Sequence, residues 1–504
     1  MKLYKFLIPI FGTLALTSCG EDFLNELPTD VATSEQIQKA AEKDAEAVLA
    51  PQLNGIYTNW NFRAAIASND INSHISRGMG GIMLLSDMMS NDISLVRNSV
   101  WLYDHTLDYT GESYVRARWP WLFFYTVIKN SNELISVVDD NTTSAKAKAA
   151  KAQALAFRGI SYAYLAAFYQ KAYTDPAVDP TKALAVPVLL ASNEEGSIQS
   201  RATLARVYEQ AENDLLRAIN LFGDFTRTDA TQINAQVAQG LLSRVYLAMG
   251  RWDDAAKMAN AARQGYKLMD AEETADFNYQ SLNNPEVMWG LKSTKETTLM
   301  FASFQSWRSA DDVGYAGQVG LFQLIDAALY KNLGDDDARK ELFVAPGTTA
   351  KATVGGTSWT IPAYGNRKFK RVAEWLGDVI YLRASEMYLT EAEALAHAGR
   401  SAEALAVMKE FMAQRDPSWN ASAVTVDDIY TQRRLELWGE GFGFFDCKRL
   451  QKDLVRKYEG SNELQSLQVN IPYNDQRWVY QLPLSEIQNN NEISEDDQNP
   501  YGGE

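Results

Sequence analysis

The feature that most constrains the fold is a pattern that occurs twice: a helix, a Gly-Arg turn and a second helix. In the first copy, residues 236–264, the turn falls at Gly250, and acidic residues and alanines open the second helix. In the second copy, residues 382–412, the turn falls at Gly399. Small residues suit a close crossing of two helices, and glycine suits the end of the first helix. The pattern therefore predicts a body built from helix hairpins.

This arrangement is typical of tetratricopeptide repeats. The two copies lie 149 residues apart, so they do not form a tandem array. Either repeat pairs are scattered along the chain with insertions between them, or the likeness is only that of any two helix hairpins. We favour scattered pairs, because the turn and the alanine positions both match. Further amphipathic or alanine-rich runs predict helices at 34–49, 144–173 and 203–222.

Residues 270–375 differ in character from the rest of the chain. They are rich in Gly, Thr, Asn and aromatic residues, and only 320–333 has a clear helical pattern. A long irregular stretch inside a helical body is usually a functional insertion or a disordered linker, and its tryptophans and phenylalanines argue against disorder. We therefore predict a helical part at 34–269, a loop-rich insertion at 270–375 that is a candidate ligand face, and a C-terminal part at 376–504.

The N terminus predicts export and lipidation. Two lysines and the apolar run 7–16 lead into Leu-Thr-Ser-Cys, which ends at Cys19 and matches a lipobox. The run is too short to span a membrane and is typical of a cleaved signal peptide. We predict a signal peptide at 1–18, acylation of Cys19 as a membrane anchor, and a short acidic tether at 19–33. The alternative is an ordinary signal peptide whose boundary happens to contain a cysteine.

Charge and composition exclude several classes of function. Removal of residues 1–18 takes the formal net charge from −16 to −18, which argues against a nucleic-acid partner. With Cys19 acylated, Cys447 is the one remaining cysteine, so we predict no disulfide and a buried thiol. The three histidines lack metal-ligand spacing, so no metal or other cofactor is predicted. Two acidic runs lack EF-hand spacing, and whether a calcium ion is bound stays open.

Four segments together resemble the SusD/RagB family of nutrient-binding outer-membrane lipoproteins. The first is the lipobox, which is followed by Asp-Phe-Leu at 22–24 and by Pro28. The other segments read VIYLRASEMYLTEAEA (379–394), RRLELWGEGFGFFDCKR (433–449) and LPLSEI (482–487) with Asn-Pro at 499–500. They stand in the family's order and span nearly the whole chain. The chain departs from the family at Phe442 and Gly443, where His and Arg are frequent, and at Cys447, where Leu is frequent.

The resemblance implies a mainly α, SusD-like fold with scattered tetratricopeptide-type helix pairs, a long loop-rich insertion and few short strands. It implies capture of a nutrient, an oligosaccharide or in some members a peptide, without catalysis. It also implies delivery to a SusC-like TonB-dependent outer-membrane transporter, from a lipid-anchored position facing the cell exterior. Two alternatives of another class are a tetratricopeptide adaptor protein and a surface glycosidase.

The charged residues of segments 379–394 and 433–449 have a structural interpretation. They can pair across two helices through buried or half-buried ion pairs, which fix geometry more reliably than they add stability. The residues concerned are Arg383, Glu386, Glu391, Glu393, Arg433, Arg434, Glu436 and Glu440. We therefore predict that the most family-like residues hold the scaffold and do not contact a ligand.

Candidate ligand-binding residues come from the tryptophans and tyrosines, because sugars bind flat aromatic faces flanked by hydrogen-bonding groups. Four tryptophans are predicted to be core residues: Trp119, Trp121, Trp252 and Trp438. The ligand-binding candidates, which lie in polar or irregular surroundings, are Asn98, Trp101, Tyr103, Trp289, Trp307, Arg308 and Tyr315, with Trp359 in a similar context. We predict that Trp101 and Trp307 form the platform. The alternative is that each of these aromatics fills a loop core.

Overall fold

A computed structural model describes residues 34–62, 75–191, 198–295, 303–311, 314–354 and 356–502. The predicted Cys19, signal peptide and tether lie outside these residues. The described chain is mostly helical with few short strands, as predicted. The helices are α1 Ser34–Lys43, α2 Ala45–Phe62, α3 Gly78–Met88, α4 Leu102–His105, α5 Val115–Val137, α6 Ala145–Tyr169, α7 Leu204–Phe222, α8 Ala235–Met249, α9 Trp252–Arg263, α10 Ala271–Asp276, α11 Phe304–Arg308, α12 Tyr315–Gln318, α13 Ala327–Tyr330, α14 Ala384–His397, α15 Ser401–Met412, α16 Val426–Glu436, α17 Gly443–Arg449 and α18 Leu484–Asn489. The strands are β1 Ile93–Leu95, β2 Val287–Leu291, β3 Gln323–Ile325, β4 Ala350–Val354, β5 Thr357–Ile361, β6 Val379–Arg383, β7 Leu454–Val455 and β8 Asn470–Ile471.

Side-chain caps set the start of several predicted helices. The Ser144 hydroxyl accepts the N–H of Ala147 and opens α6, and the Thr203 hydroxyl opens α7 in the same way. The helix predicted at 34–49 is instead divided into α1 and α2. The division falls at Asp44, whose carboxylate accepts the N–H of Ala47 at 3.1 Å and so caps a new helix.

The two repeat hairpins end their first helices in the same way. Gly250 and Gly399 have φ values of +72° and +75°, in the left-handed region that glycine adopts without steric cost. The next N–H bonds back to a carbonyl five residues earlier, from Arg251 to Tyr246 and from Arg400 to Leu395, both at 2.9 Å. This is the Schellman arrangement, and it confirms the predicted turns.

The two hairpins are neighbours in space although they are far apart in the sequence. The rings of Trp252 on α9 and His397 on α14 stack with centroids 4.1 Å apart, and Arg263 pairs with Glu391 at 2.6 Å. Packing runs from α5 through α6, α7, α8 and α9 to α14 and α15. The scattered pairs therefore form one continuous helical array.

Within the described chain, the strands form four two-stranded antiparallel sheets. Strand β1 pairs with β3 and thereby joins the segment after α3 to the insertion, while β2 pairs with β6 and joins the insertion to the C-terminal part. The helix predicted over 320–333 is wrong. Residues 323–325 pair with β1 as a strand, and the Asp326 carboxylate then caps the short α13 by accepting the N–H of Leu329 at 3.0 Å.

One hydrophobic core extends from Leu49 to Ile493 and includes residues of all three predicted parts. The division at 270 and 376 therefore stays a prediction. Cys447 lies in this core with no exposed surface, and burial raises the pKa of its thiol to about 11, so the predicted buried thiol is confirmed. Among the described residues, no helix is both long enough and apolar enough to cross a membrane.

A buried ion-pair network joins β6 to the end of α16, as predicted for Arg383. The Arg383 guanidinium contacts Glu436 at 2.6 Å and Glu440 at 2.7 Å, and Arg415 also pairs with Glu436 at 3.0 Å. Burial alone would raise the pKa of Glu436, but the surrounding guanidinium groups hold it well below its ordinary value. Of the other predicted members, Arg433 and Glu386 pair with each other at 4.0 Å. The remaining contacts are Glu386 with Arg244, Glu391 with Arg263, Glu393 with Arg449, Arg433 with Asp446 and Arg434 with Asp92.

Candidate functional site

Trp101 and Trp307, the predicted platform, lie in contact but are buried. Their ring centroids are 5.5 Å apart in an edge-to-face arrangement, and Trp307 stacks on Tyr315 at 4.0 Å. The exposed fractions are 1% for each tryptophan and 9% for Tyr315. These rings fill a loop core, which is the alternative weighed above, and they offer no open face to a ligand. The expectation of an exposed platform at Trp101 and Trp307 is therefore revised. We call Trp101, Trp307 and Tyr315 the buried anchor.

Two further candidates also lie in the interior. Trp289 on β2 is 1% exposed and stacks on Trp60 with centroids 5.7 Å apart. Arg308, next to Trp307, is 1% exposed, pairs with Asp87 and donates to the side-chain oxygen of Gln323. A guanidinium in such a place holds the insertion against α3 and is not available to a ligand. Trp359 is half-buried on the β4–β5 hairpin.

The exposed candidates are Asn98 and Tyr103, and Tyr103 belongs to a stack of tyrosine rings. Tyr103 is 43% exposed, and its ring stacks on Tyr109 with centroids 4.2 Å apart and planes inclined by 23°. Tyr109 stacks in turn on Tyr114 at 4.5 Å and 27°. Tyr109 and Tyr114 are half-buried. We call these three residues the tyrosine ladder.

A strained turn sets the spacing of the ladder. Leu107 has φ +58°, the N–H of Leu107 bonds to the carbonyl of Asp104, and the N–H of Asp108 bonds to the carbonyl of Tyr103 at 2.8 Å. This is a Schellman turn at the end of α4 with leucine where glycine is usual, at a cost of about 1–2 kcal/mol. The leucine side chain is fully buried, and that burial offsets the strain. The turn reverses the chain so that Tyr109 stacks back on Tyr103.

The buried anchor and the tyrosine ladder are connected through α4. Trp101 directly precedes α4, the helix that carries Tyr103. The Arg116 side chain pairs with Asp104 at 2.7 Å and donates to the carbonyl of Val100 at 3.0 Å, and its guanidinium lies 5.6 Å from the Trp101 ring. One short helix therefore places Trp101 inside and Tyr103 outside.

The C-terminal segment supplies a polar rim beside the ladder. The Tyr501 hydroxyl donates to the carbonyl of Asp108 at 3.0 Å, and the guanidinium of Arg477 lies 3.5 Å from the Asp108 carboxylate. Burial and neighbouring tyrosines raise the pKa of Tyr109, and they raise that of Tyr501 to about 12. These two hydroxyls therefore stay neutral near pH 7 and can both donate and accept hydrogen bonds.

Sequence reasoning missed Tyr109, Tyr114, Tyr501 and Arg477. Tyr109 and Tyr114 flank the polar run Thr-Gly-Glu-Ser, which is the same kind of context that selected Tyr103. The criterion of an aromatic residue in polar surroundings could therefore have found Tyr109 and Tyr114. Tyr501 and Arg477 come from the other end of the chain, and no local pattern connects them to the ladder.

An open tyrosine ring with hydrogen-bonding groups beside it can hold a planar or hydroxyl-rich group by stacking and hydrogen bonding. His105, which lies in the interior, bonds to Glu463 at 2.7 Å and to the carbonyl of Met88. In the part of the chain that the structure describes, no group of three or more His, Cys, Asp or Glu side chains could hold a metal ion.

Two family profiles match the chain. One, described as "Starch-binding associating with outer membrane", matches residues 29–247, and the other, described as "SusD family", matches residues 346–501. A SusD-like protein of Bacteroides ovatus is 24% identical over 493 residues, which covers 88% of this chain and 81% of the relative.

Solved structures share the fold. A SusD-like carbohydrate binding protein from Bacteroides vulgatus superposes with a TM-score of 0.73 at 24% identity, covering 90% of this chain and 98% of the other. The surface glycan-binding protein A from Bacteroides thetaiotaomicron, solved in complex with laminarihexaose, superposes with a TM-score of 0.64 at 16% identity, with the same two coverages. At these identities the likeness establishes the architecture, and the ligand has to be argued from this chain's own residues.

Proposed function

The chain belongs to the SusD/RagB family, and from that premise we propose that it binds an oligosaccharide at the tyrosine ladder and passes it on without breaking a bond. The observation that carries the proposal is the exposed ring of Tyr103 at the end of a rigid stack of three tyrosines. Stacking on Tyr109 fixes the orientation of the Tyr103 ring before a ligand arrives, so little side-chain freedom is lost on binding.

The chemistry of the ladder suits a sugar better than a peptide. A pyranose presents a flat C–H face ringed by hydroxyls, which matches an open tyrosine ring with neighbouring hydrogen-bonding groups. Those groups are the guanidinium of Arg477 and the carboxylate of Asp108. A peptide would require exposed strand edges or pockets for side chains, and the ladder offers a flat surface.

We further propose that the protein is anchored to the outer membrane through acylated Cys19 and faces the cell exterior. Its partner would be a SusC-like TonB-dependent transporter that receives the bound nutrient. Support comes from the lipobox, from the family resemblance and from the family description as associating with the outer membrane. Mass spectrometry of the native protein tests the anchor, because an unmodified N terminus would refute it. Co-purification from outer membranes tests the transporter.

The ligand proposal is tested by titrating the purified protein with β- and α-glucan oligosaccharides, with other glycans and with peptides as a separate arm. Tyr103→Ala removes the open ring, and we expect it to weaken the best glycan by about 2 kcal/mol, roughly thirtyfold in Kd. Its unfolding free energy should fall by no more than about 1 kcal/mol, because the ring is 43% exposed and the stacking on Tyr109 is what is lost. Calorimetric titration and thermal unfolding measure the two effects.

Tyr473→Ala is the matched control, because Tyr473 is 38% exposed and its backbone N–H donates to the Asp453 carboxylate at 2.8 Å, away from the stacked rings. It should bind glycan like the wild type. Equal binding by Tyr103→Ala and the wild type would overturn the ladder as the site. If the protein binds peptides but no glycan, the ligand is a peptide and not an oligosaccharide. If shorter sugars are released during the titration, the protein cleaves glycans and the proposal of binding without catalysis is wrong.

A further inference from the structure

A second cleft lies on the helical array, between α6, α8 and α17. It has a volume of about 100 Å³ and is partly open to solvent. Its walls are mainly apolar and half-buried, with Ala163 and Tyr164 on α6, Ala248 on α8, Phe442 just before α17 and Phe445 on α17. An apolar cleft bordered by a few charged side chains is the usual form of a small-molecule site.

Most charges that border this cleft are neutralised within the protein. Arg244 makes a bidentate pair with Glu386, with both contacts at 2.7 Å. Arg433 and Arg449 share the carboxylate of Asp446 at 2.7 and 2.9 Å, and Arg449 also pairs with Glu393. These groups therefore contribute shape and little net charge.

Lys448 is different, because its ammonium is buried without a counter-ion. The residue is 8% exposed and lines the cleft; its Nζ donates to the carbonyl of Ala167 at 2.5 Å and lies 5.2 Å from the Phe444 ring centroid. Within the described chain, neither Lys448 nor Lys171, which also borders the cleft, forms an ion pair with a carboxylate. Burial, with added repulsion from Lys171, lowers the pKa of Lys448 well below its ordinary value. An anion bound beside this amine would favour its protonated form, so the site is suited to an acidic ligand.

We propose that this cleft binds an organic anion with an apolar body, whose carboxylate or sulfonate pairs with Lys448 and whose body lies against Tyr164, Phe442 and Phe445. Lys448 favours ligands that carry a negative group, and the apolar walls favour ligands whose remaining part is hydrophobic. This site is formed by other elements than the tyrosine ladder, so the proposal does not depend on the proposed glycan function.

The test uses the purified protein and the fluorescent anion 1-anilinonaphthalene-8-sulfonate, with competition by 4-phenylbutyrate, by decanoate and by the neutral 4-phenyl-1-butanol. We expect saturable binding of the dye, displaced by at least one carboxylate and at least tenfold less well by the alcohol. Displacement by phenylbutyrate would indicate a free aromatic acid as the natural class, and displacement by decanoate a fatty acid.

Lys448→Met should weaken anion binding by at least about tenfold, because it removes a charge-assisted hydrogen bond and keeps the side-chain length. Ala163→Phe should also block binding by filling the cleft, and it leaves Lys448 in place. Lys452→Met is the control, since Lys452 is more exposed and pairs with Asp427 at 2.6 Å. Tyr103→Ala should bind the anion normally.

Circular dichroism confirms that each variant is folded. Wild-type binding by both Lys448→Met and Ala163→Phe would overturn the site. Equal affinity for the alcohol and the carboxylate, or absence of saturable binding, would also overturn it.

Discussion

The buried anchor and the tyrosine ladder are both stacks of aromatic rings, and they are joined through one short helix. Trp101 at the start of α4 is 1% exposed and Tyr103, two residues later, is 43% exposed. The anchor has tryptophan at its centre and an ion pair beneath it, while the ladder has tyrosines with hydroxyls near a polar rim. An aromatic residue in a polar sequence context can therefore either pack in the interior or present its ring at the surface. Its position relative to the helix decides between the two.

The largest expected effect is a loss of unfolding free energy when the buried anchor, and not the ladder, is altered. Trp307→Ala removes a fully buried ring from the anchor and should lower the unfolding free energy by about 3–5 kcal/mol. Denaturant unfolding measures the loss, and Trp307→Phe, which keeps part of the volume, should lose less. A variant with wild-type stability and lost glycan binding would show instead that Trp307 contacts the ligand.

The second effect is a pH dependence of the unfolding free energy, which we expect from the buried Asp87–Arg308 pair next to Trp307 and not from the tyrosine ladder. Burial raises the pKa of Asp87, which pairs with Arg308, from its ordinary 3.8 to about 6. A carboxyl with a raised folded-state pKa contributes most stability below its unfolded pKa and loses that contribution as pH rises through the folded value. We therefore expect this group to lower the unfolding free energy by up to about 3 kcal/mol between pH 4 and pH 7.

Asp87→Asn should remove that part of the pH dependence, and unfolding titrations of both proteins at several pH values measure it. Identical slopes in the two proteins would contradict the assignment. Glycan binding between pH 5 and pH 9 should not vary through Tyr109 or Tyr501, whose pKa values are raised.

The smallest effect tests the middle of the ladder. Tyr109→Leu keeps much of the volume but removes the flat ring on which Tyr103 stacks, so both stability and glycan affinity should fall by about 1 kcal/mol. Tyr109→Phe retains the ring and should behave like the wild type in both measurements. If Tyr109→Leu binds glycan normally, Tyr103 acts alone and the stack is not needed.

Local rules in the sequence predicted much of the fold. The Gly-Arg turns at Gly250 and Gly399, the helices that begin near 144 and 203 and the burial of Cys447 were all predicted from neighbouring residues. Such features depend on contacts within a few residues or on hydrophobicity alone. The strand in place of a helix at 323–325 was missed because its partner β1 lies more than two hundred residues earlier.

The ladder could be predicted only in part. Tyr103 and its exposure fit the criterion of an aromatic in polar surroundings, but the same criterion also chose the buried Trp101 and Trp307. The stacking of Tyr109 on Tyr103 depends on Leu107 adopting a conformation that leucine rarely takes, so no propensity points to it. The contribution of Tyr501 depends on tertiary packing between the two ends of the chain.

The contact between α9 and α14 has a consequence for how the molecule is made. During synthesis the first repeat hairpin emerges more than a hundred residues before the helix that covers it. Until then α9 leaves an apolar surface bare, and non-local contacts of this kind slow folding and expose the chain to aggregation. A chain cut short before residue 384 would therefore leave the α14-facing surface of α9 exposed to water.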